Sequence, residues 1–284
     1  MYGGLRIKFN LSDETSEETK GLIRSWSYLD KNTAKTYLTG KFQDPRINLQ
    51  SILTRHFLIK EIFGDEFTDV MRDEVKFSID ANNRIFMDGH IPDQELDTYR
   101  MIWSKKLAEK KHDAVSVLEP ACGSANDYRY FSAYGIARFL DYRGFDLNET
   151  NVKNAREMLP QADFYIDNIL EMKATGGTFD YVIIFDLFEH LSLSGLDKVL
   201  NGICRMANRG MAVNFFNMSD IAAHKERPLR YYHLNELSMP MIRRFFTDQG
   251  FSLKIIRIYD LLPLNFVYMG AENKKAYTFL IKDA

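Results

Sequence analysis

The chain has 284 residues, 45% of them hydrophobic, and its 37 basic and 39 acidic side chains give a formal net charge of −2. This length and composition suit a large globular domain, and the interspersed charges create no field that favours nucleic acid or an anionic membrane. Two cysteines exclude a disulfide framework. The sequence shows no signal peptide and no long apolar run, so we expect a cytoplasmic protein without a membrane partner.

Residues 1–112 have the pattern of a mainly helical region. Their apolar residues recur at helical spacing, and residues that cap or break helices separate the segments. The predicted elements are a strand over 5–9, a polar helix from about 13 to 39, an amphipathic helix from Pro45 to Gly64, a hairpin over 75–87 and a helix from Pro92 to Lys111.

Residues 113–284 alternate between strand-like and helix-like segments, which predicts an α/β domain with a mostly parallel sheet. Its last two strands fit an antiparallel pair at the sheet edge. The predicted strands are 115–119, one ending at Asp146, 163–166, 179–185, 211–216, 253–262 and 276–281, and the predicted helices are 126–134, 148–159, 194–207 and 235–248.

The first strand of this domain ends in a turn of small residues. Pro120 and Gly123 interrupt the apolar run 115–119, and a helix follows. In parallel α/β sheets the ligand binds beyond the carboxyl ends of the strands, where such turns lie. We therefore expect the functional residues to gather at this edge.

Four features in this order resemble the class I S-adenosylmethionine-dependent methyltransferases of small-molecule type. The features are the turn Glu119-Pro120-Ala121-Cys122-Gly123-Ser124-Ala125, then Asp146, then Asp167 with Asn168, and finally the segment 179–191, Phe-Asp-Tyr-Val-Ile-Ile-Phe-Asp-Leu-Phe-Glu-His-Leu. The resemblance implies a Rossmann-like seven-stranded sheet with a terminal antiparallel hairpin over 113–284. It also implies that 1–112 forms a cap that contributes to the substrate region.

The resemblance further implies where the cofactor, S-adenosylmethionine, is bound. Asp146 takes the position of the carboxylate that accepts hydrogen bonds from the ribose hydroxyls, and Asp167 with Asn168 takes the position that contacts the adenine. Alanine replaces two of the three glycines of the turn, at 121 and 125. The implied cofactor-binding residues are Glu119, Ala121, Cys122, Gly123, Asn126, Asp146, Leu147, Asp167, Asn168 and Phe185.

Two histidines are candidates for a general base. His190 leaves the fourth strand where the family places the reactive methyl group, and His233 lies in the long connection 218–234. The alternative is that His190 only orders its loop. Side chains in the same connection are candidates for binding the substrate, and we expect no metal. These substrate candidates are His224, Arg227, Tyr231 and Tyr232.

The function predicted from these features is methyl transfer to an oxygen or nitrogen of a small organic acceptor, by a monomer or homodimer. A catalytically silent module that binds S-adenosylmethionine is the alternative that the two alanines leave open. An NAD(P)-dependent oxidoreductase also uses a strand, turn and helix, but its fingerprint needs glycine where Ala125 or Asn126 stands. The sequence contains no basic stripe that would support methylation of RNA or protein.

Overall fold

The computed structural model describes residues 49–64, 101, 105, 113–133, 136–261 and 273–283. The strand predicted over 5–9, the polar helix and the hairpin over 75–87 lie outside the described residues. Of the helix predicted from Pro92 to Lys111, only Met101 and Lys105 are described, and both are helical. Among the helices described, none has the length and apolar character needed to cross a membrane.

A seven-stranded sheet forms the centre of the domain, in the order β3-β2-β1-β4-β5-β9-β8. Strands β1 to β5 are parallel, whereas β9 runs antiparallel between β5 and the edge strand β8. This confirms the predicted Rossmann-like fold and its terminal antiparallel pair. The strands are β1 Val115–Pro120, β2 Leu140–Asp146, β3 Asp163–Ile166, β4 Phe179–Ile184, β5 Ala207–Phe215, β8 Phe251–Arg257 and β9 Tyr277–Asp283, and the short strands β6 Met218–Ser219 and β7 Leu237–Ser238 pair separately.

Helices cover both faces of the sheet. Because alternate residues of the strands point to opposite faces, the buried side chains divide into two apolar clusters, one under α1, α2 and α3 and the other under α4 and α5. The helices are α1 Leu49–Phe63, α2 Asn126–Ala133, α3 Glu149–Met158, α4 Leu193–Met206 and α5 Met239–Asp248. Side chains of Asn148, Ser192 and Ser238 cap α3, α4 and α5.

Helix α1 packs directly on the sheet. The ring of Phe57 meets that of Tyr181 edge to face at 5.3 Å between centroids, and Nδ2 of Asn214 lies 3.4 Å from Oγ1 of Thr54. Glu61 pairs with Lys282 on β9. The described part of residues 1–112 therefore shares the core of the sheet, and the division of the chain at 112/113 stays a prediction.

Several element boundaries differ from the prediction. The strand predicted over 253–262 ends at Arg257 and is followed by a 3-10 helix over Ile258–Leu261. Strand β5 begins at Ala207 rather than 211, and the helix predicted over 235–248 begins at Met239. The later start follows from the pairing of Leu237 and Ser238 with Met218 and Ser219, which makes these residues extended. Such a pairing joins segments that are distant in sequence, so helical periodicity does not reveal it.

Candidate functional site

The turn after β1 keeps a glycine-type backbone although two of its glycine positions are alanine. Ala121, Gly123 and Ala125 have φ of +56°, +55° and +62°. A left-handed conformation costs a residue with a Cβ roughly 1–2 kcal/mol, so other interactions in the fold must offset this cost at both alanines. A Cβ added to Gly123 would meet no atom within 4 Å. The turn therefore has open space on this side, where a ligand can approach the backbone.

Asp146 at the end of β2 is bonded to this turn. Its Oδ2 accepts a hydrogen bond from the backbone N–H of Gly123 at 2.9 Å, and its Oδ1 accepts from the N–H of Asn148 at 2.8 Å. Burial raises the pKa of Asp146, although these hydrogen bonds act in the opposite direction. Nδ2 of Asn151 donates a third, longer hydrogen bond to Oδ1 at 3.4 Å. A carboxylate has about four acceptor sites, so capacity remains for one further donor such as a hydroxyl.

Asp167 organises the loop that follows β3. Its Oδ2 accepts hydrogen bonds from the backbone N–H groups of Ala174 and Thr175 at 3.0 and 3.1 Å, and from the Thr175 hydroxyl at 3.0 Å. Its Oδ1 accepts from the N–H of Asn168 at 2.7 Å. Asp167 thus fixes the loop beside the end of β3, and Asn168 continues it by accepting from the N–H of Leu170.

The residues after β4 bring two carboxylates and an imidazole together. Asp186 has a φ of +57°, and a 3-10 turn over Phe188–His190 follows it. Ligand atoms of Asp186, Glu189 and His190 all lie within 4.8 Å of one another. The side chain of Asp186 is half exposed, whereas Glu189 is buried. The cluster is therefore anchored in the core and open on one side.

Both ring nitrogens of His190 face oxygen atoms. Nδ1 donates to the backbone carbonyl of His233 at 3.1 Å, and Nε2 lies 3.6 Å from Oδ1 of Asp186. Burial lowers the pKa of His190, but the hydrogen bond to Asp186 and the nearby negative charges outweigh it and raise the pKa overall. Burial also raises the pKa of Glu189 to about 7. The electrostatics here favour a positive charge between the carboxylates.

The family comparison agrees with this arrangement. Residues 117–210, which run from β1 into β5, match a family described as "Methyltransferase domain". This part of the chain is therefore similar to the methyltransferase domains of that family. S-adenosylmethionine, the cofactor expected from the sequence, is the cofactor that this family uses. The residues present fit that group, because the turn offers small residues and open space, and Asp146 keeps acceptor capacity beside it.

Solved structures that resemble the chain include several methyltransferases. A TehB-like SAM-dependent methyltransferase from Corynebacterium glutamicum is 14% identical, with 68% of this chain and 100% of that chain covered and a TM-score of 0.44. Magnesium protoporphyrin IX methyltransferase from Synechocystis with bound SAM is 16% identical, with 84% and 98% covered and a TM-score of 0.43. The 1,6-didemethyltoxoflavin-N1-methyltransferase of Burkholderia thailandensis is 15% identical, with 77% of this chain and 90% of that chain covered and a TM-score of 0.45. No curated protein matched.

The connection between β5 and α5 lies against the turn after β4. The backbone N–H of His233 donates to the carbonyl of His190 at 3.3 Å, and the rings of His190 and Tyr232 meet edge to face with centroids 5.5 Å apart. Buried Asn235 donates through Nδ2 to the carbonyl of Leu191 at 2.7 Å. The structure thus brings His190, His233 and Tyr232 together.

Other predicted substrate residues have different contacts. Nδ1 of His224 accepts a hydrogen bond from the N–H of Ser238 at 2.8 Å, and burial lowers the pKa of His224. Arg227 is exposed, and the guanidinium of Arg230 stacks on the ring of Tyr231 at 4.9 Å. None of these contacts joins the three side chains to the cluster after β4, so their role as substrate residues stays a prediction.

The remaining predicted cofactor residues occupy the ends of the strands. Leu147 and Phe185 are half-buried and follow β2 and β4. The N–H of Cys122 donates to the carbonyl of Phe145 at 2.9 Å, and burial raises the pKa of its thiol well above the usual value, so the thiol stays protonated. The side chain of Asn126 lies outside the described part of the chain, although its backbone begins α2.

Glu119 belongs to a buried polar network that the sequence did not indicate. Its carboxyl accepts a hydrogen bond from the hydroxyl of Tyr142. Asp127 adds its charge from the first turn of α2, and Nη1 of Arg55 lies 3.6 Å from Oδ1 of Asp127. Burial, followed by the charge of Asp127, raises the pKa of Glu119 well above its usual value. Sequence reasoning missed Arg55 and Asp127 because buried charges carry no signal in hydrophobic periodicity.

Replacing Tyr142 with phenylalanine is expected to lower the free energy of unfolding by about 1–3 kcal/mol, because a buried carboxyl loses its donor. Tyr142 and Glu119 are 3% and 2% exposed. Urea unfolding would measure the loss. Tyr259→Phe is the control, since Tyr259 is 37% exposed and its hydroxyl should contribute within about 0.5 kcal/mol. Equal unfolding midpoints for the two variants would contradict the prediction.

Proposed function

We propose that the protein is an enzyme that transfers the methyl group of S-adenosylmethionine to an oxygen or nitrogen of a small organic acceptor. The observation that carries the proposal is the hydrogen bond from Gly123 to Asp146, made within a turn whose alanines keep positive φ. A silent module remains the second candidate. Both candidates require a turn that binds the cofactor, and the positive φ of Ala121 and Ala125 suits such a turn, so turnover of an acceptor decides between them.

S-adenosylmethionine supplies a methyl group on a positively charged sulfur, and the acceptor atom takes that methyl group while the electrons of the carbon–sulfur bond stay with the sulfur. In the proposal, Gly123 and the alanines leave room for the methionine part of the cofactor beside the backbone. Asp146 accepts hydrogen bonds from the ribose, as an ionised carboxylate does well. Asp167 and its loop flank the adenine.

The acceptor, in this proposal, lies beyond β4 against His190 and Tyr232. Nδ1 of His190 is bonded to the carbonyl of His233, and Nε2 faces Asp186 at 3.6 Å from Oδ1, so the acceptor would contact the ring beside this pair. Holding the acceptor in one orientation supplies much of the acceleration of an in-line transfer. A formal net charge of −2 offers no attraction to a polyanion, which favours a small acceptor. The base roles of His190 and His233 stay predictions.

Calorimetric titration with S-adenosylhomocysteine, the product form of the cofactor, tests the cofactor assignment. We expect saturable binding by the wild-type chain and a loss of about 10- to 100-fold in affinity for Asp146→Asn, since a hydrogen bond to a charged group contributes about 1.5–3 kcal/mol. Asp163→Asn is the matched control, because Asp163 is 59% exposed and begins β3. Its affinity should equal that of the wild type.

Two results would overturn the proposal in different ways. Binding of NADH but not of S-adenosylhomocysteine would indicate that the protein is an oxidoreductase rather than a methyltransferase. Tight binding of S-adenosylmethionine, with no S-adenosylhomocysteine formed from any acceptor in a panel of phenols, amines and carboxylic acids, would favour the silent module. Unchanged affinity in Asp146→Asn would refute the ribose assignment alone.

A further inference from the structure

The cluster after β4 contains the three kinds of side chain that commonly bind a divalent cation. One oxygen of Asp186, one oxygen of Glu189 and one ring nitrogen of His190 lie within 4.8 Å of one another. A divalent ion binds oxygen and nitrogen ligands at about 2.0–2.6 Å, so atoms at this mutual separation can share one ion. Two further observations indicate that these groups form a cation site.

The first observation is the orientation of His190. Histidines that bind metals almost always donate their second ring N–H to a carboxylate or a backbone carbonyl, which fixes the ring and the tautomer. Here Nδ1 donates to the backbone carbonyl of His233 at 3.1 Å. Nε2 is thereby directed to Asp186, at 3.6 Å from Oδ1. His190 has the orientation that a metal ligand needs.

The second observation is an unsatisfied buried oxygen. Glu189 is 1% exposed, and Oε2 has no hydrogen-bond partner among the described residues. The backbone amides of Glu189 and Phe216 donate hydrogen bonds to its carboxyl group. A buried carboxylate oxygen without a partner is costly in free energy, and a bound cation is a common compensation. Unlike an exposed acidic group, Glu189 therefore has a physical reason to bind an ion.

We propose that Asp186, Glu189 and His190 bind one divalent cation of the Mn²⁺ type. Two carboxylate oxygens suit Mn²⁺ and Mg²⁺, and the imidazole nitrogen favours Mn²⁺ within this pair. Three protein ligands leave coordination positions open, and the half-exposed Asp186 lies on the open side of the cluster. This proposal differs from the expectation of no metal that was made from the sequence.

The site also suggests a class of acceptor, and this step rests on the proposed function. Open positions on a Mn²⁺ ion take oxygen donors, so the acceptor would be a small molecule with a hydroxyl or carboxylate group beside the methylated atom. Coordination would lower the pKa of a bound hydroxyl, whose proton is then lost to water. Nε2 of His190 would hold the ion and could not simultaneously accept that proton.

Titration of the full chain with Mn²⁺ alone, followed by electron paramagnetic resonance of the free ion, tests the site without cofactor or acceptor. We expect one saturable site per chain. Asp186→Asn and Glu189→Gln should each weaken Mn²⁺ binding by at least about 10-fold, since even outer partners of a metal site contribute about 10- to 100-fold. Asp186 is half exposed, so Asp186→Asn tests the site even if Glu189→Gln does not fold.

Glu226→Gln is the matched control. Glu226 is 42% exposed and lies 3.4 Å from Nδ1 of His233, next to the cluster but outside it. Its replacement should leave Mn²⁺ affinity unchanged. Absence of saturable binding, or equal affinity in the wild type and Asp186→Asn, would overturn the inference. Because S-adenosylhomocysteine binding is measured separately, a failure of the cation site is distinguishable from a failure of the proposed function.

Discussion

Replacing Arg55 with leucine is expected to lower the free energy of unfolding by about 3–5 kcal/mol, because removal of one partner leaves a buried charge uncompensated. Arg55 and Asp127 are 1% and 0% exposed in their side chains, and Nη1 lies 3.6 Å from Oδ1. Without the guanidinium, Asp127 would face Glu119, whose pKa is already raised by burial and by the charge of Asp127. Unfolding in urea, followed by circular dichroism, measures the loss.

Arg143→Leu provides the control for this prediction. Arg143 also lies close to an aspartate, with Nε 3.5 Å from Oδ2 of Asp163, but the two side chains are 45% and 59% exposed. An exposed pair of this kind contributes about 0–1 kcal/mol. Combining Arg55→Leu with Asp127→Asn should recover part of the lost stability, because the second change removes the uncompensated charge. Equal losses for Arg55→Leu and Arg143→Leu would contradict the prediction.

The buried pair has a consequence for the site as well as for stability. Arg55 lies on α1, and Asp127 lies in the first turn of α2, directly after the cofactor turn. Helix α1, which belongs to the N-terminal region, therefore contacts the helix that follows the turn, through charge as well as through apolar packing. The sequence predicted the helix from its apolar spacing, but no local pattern links Arg55 to a residue so far along the chain.

The placement of the proposed cofactor residues in the fold could be predicted because these residues follow strands. In a parallel sheet all carboxyl ends lie at one edge, so Asp146 and Asp167, which follow the adjacent strands β2 and β3, had to lie close together once their strands were recognised. The effect of the two alanines could not be predicted. Their positive φ results from the hydrogen bonds and packing around the turn, which composition does not describe.

The arrangement of the proposed acceptor residues depends on contacts between distant segments. His190 was recognised from the residues after β4, but the orientation of its ring depends on the backbone carbonyl of His233, which a sequence does not locate. The same holds for Asn235, which the sequence assigned to a helix and the structure places in the connection that contacts Leu191. The sequence was sufficient to identify candidate residues here, whereas the contacts that define their roles became visible only in the structure.

Replacing Gly123 with alanine is expected to weaken binding of S-adenosylhomocysteine by about 10- to 100-fold, the equivalent of an overpacking cost of about 1–3 kcal/mol. In the protein alone a Cβ at this position meets no atom within 4 Å, so the penalty there is limited to the backbone conformation at a φ of +55°. With the cofactor bound, the methyl group would occupy the space that the ligand needs. Calorimetric titration measures the affinity.

Gly250→Ala separates the effect on binding from the effect on the backbone. Gly250 has a φ of +86° and likewise no atom within 4 Å of an added Cβ, but it lies between α5 and β8, away from the turn. Both variants should lose roughly 1–2 kcal/mol of stability through the left-handed conformation. Only Gly123→Ala should lose affinity, because only there does the new methyl group face the cofactor. Equal affinities in the two variants would mean that the cofactor does not approach the turn at Gly123.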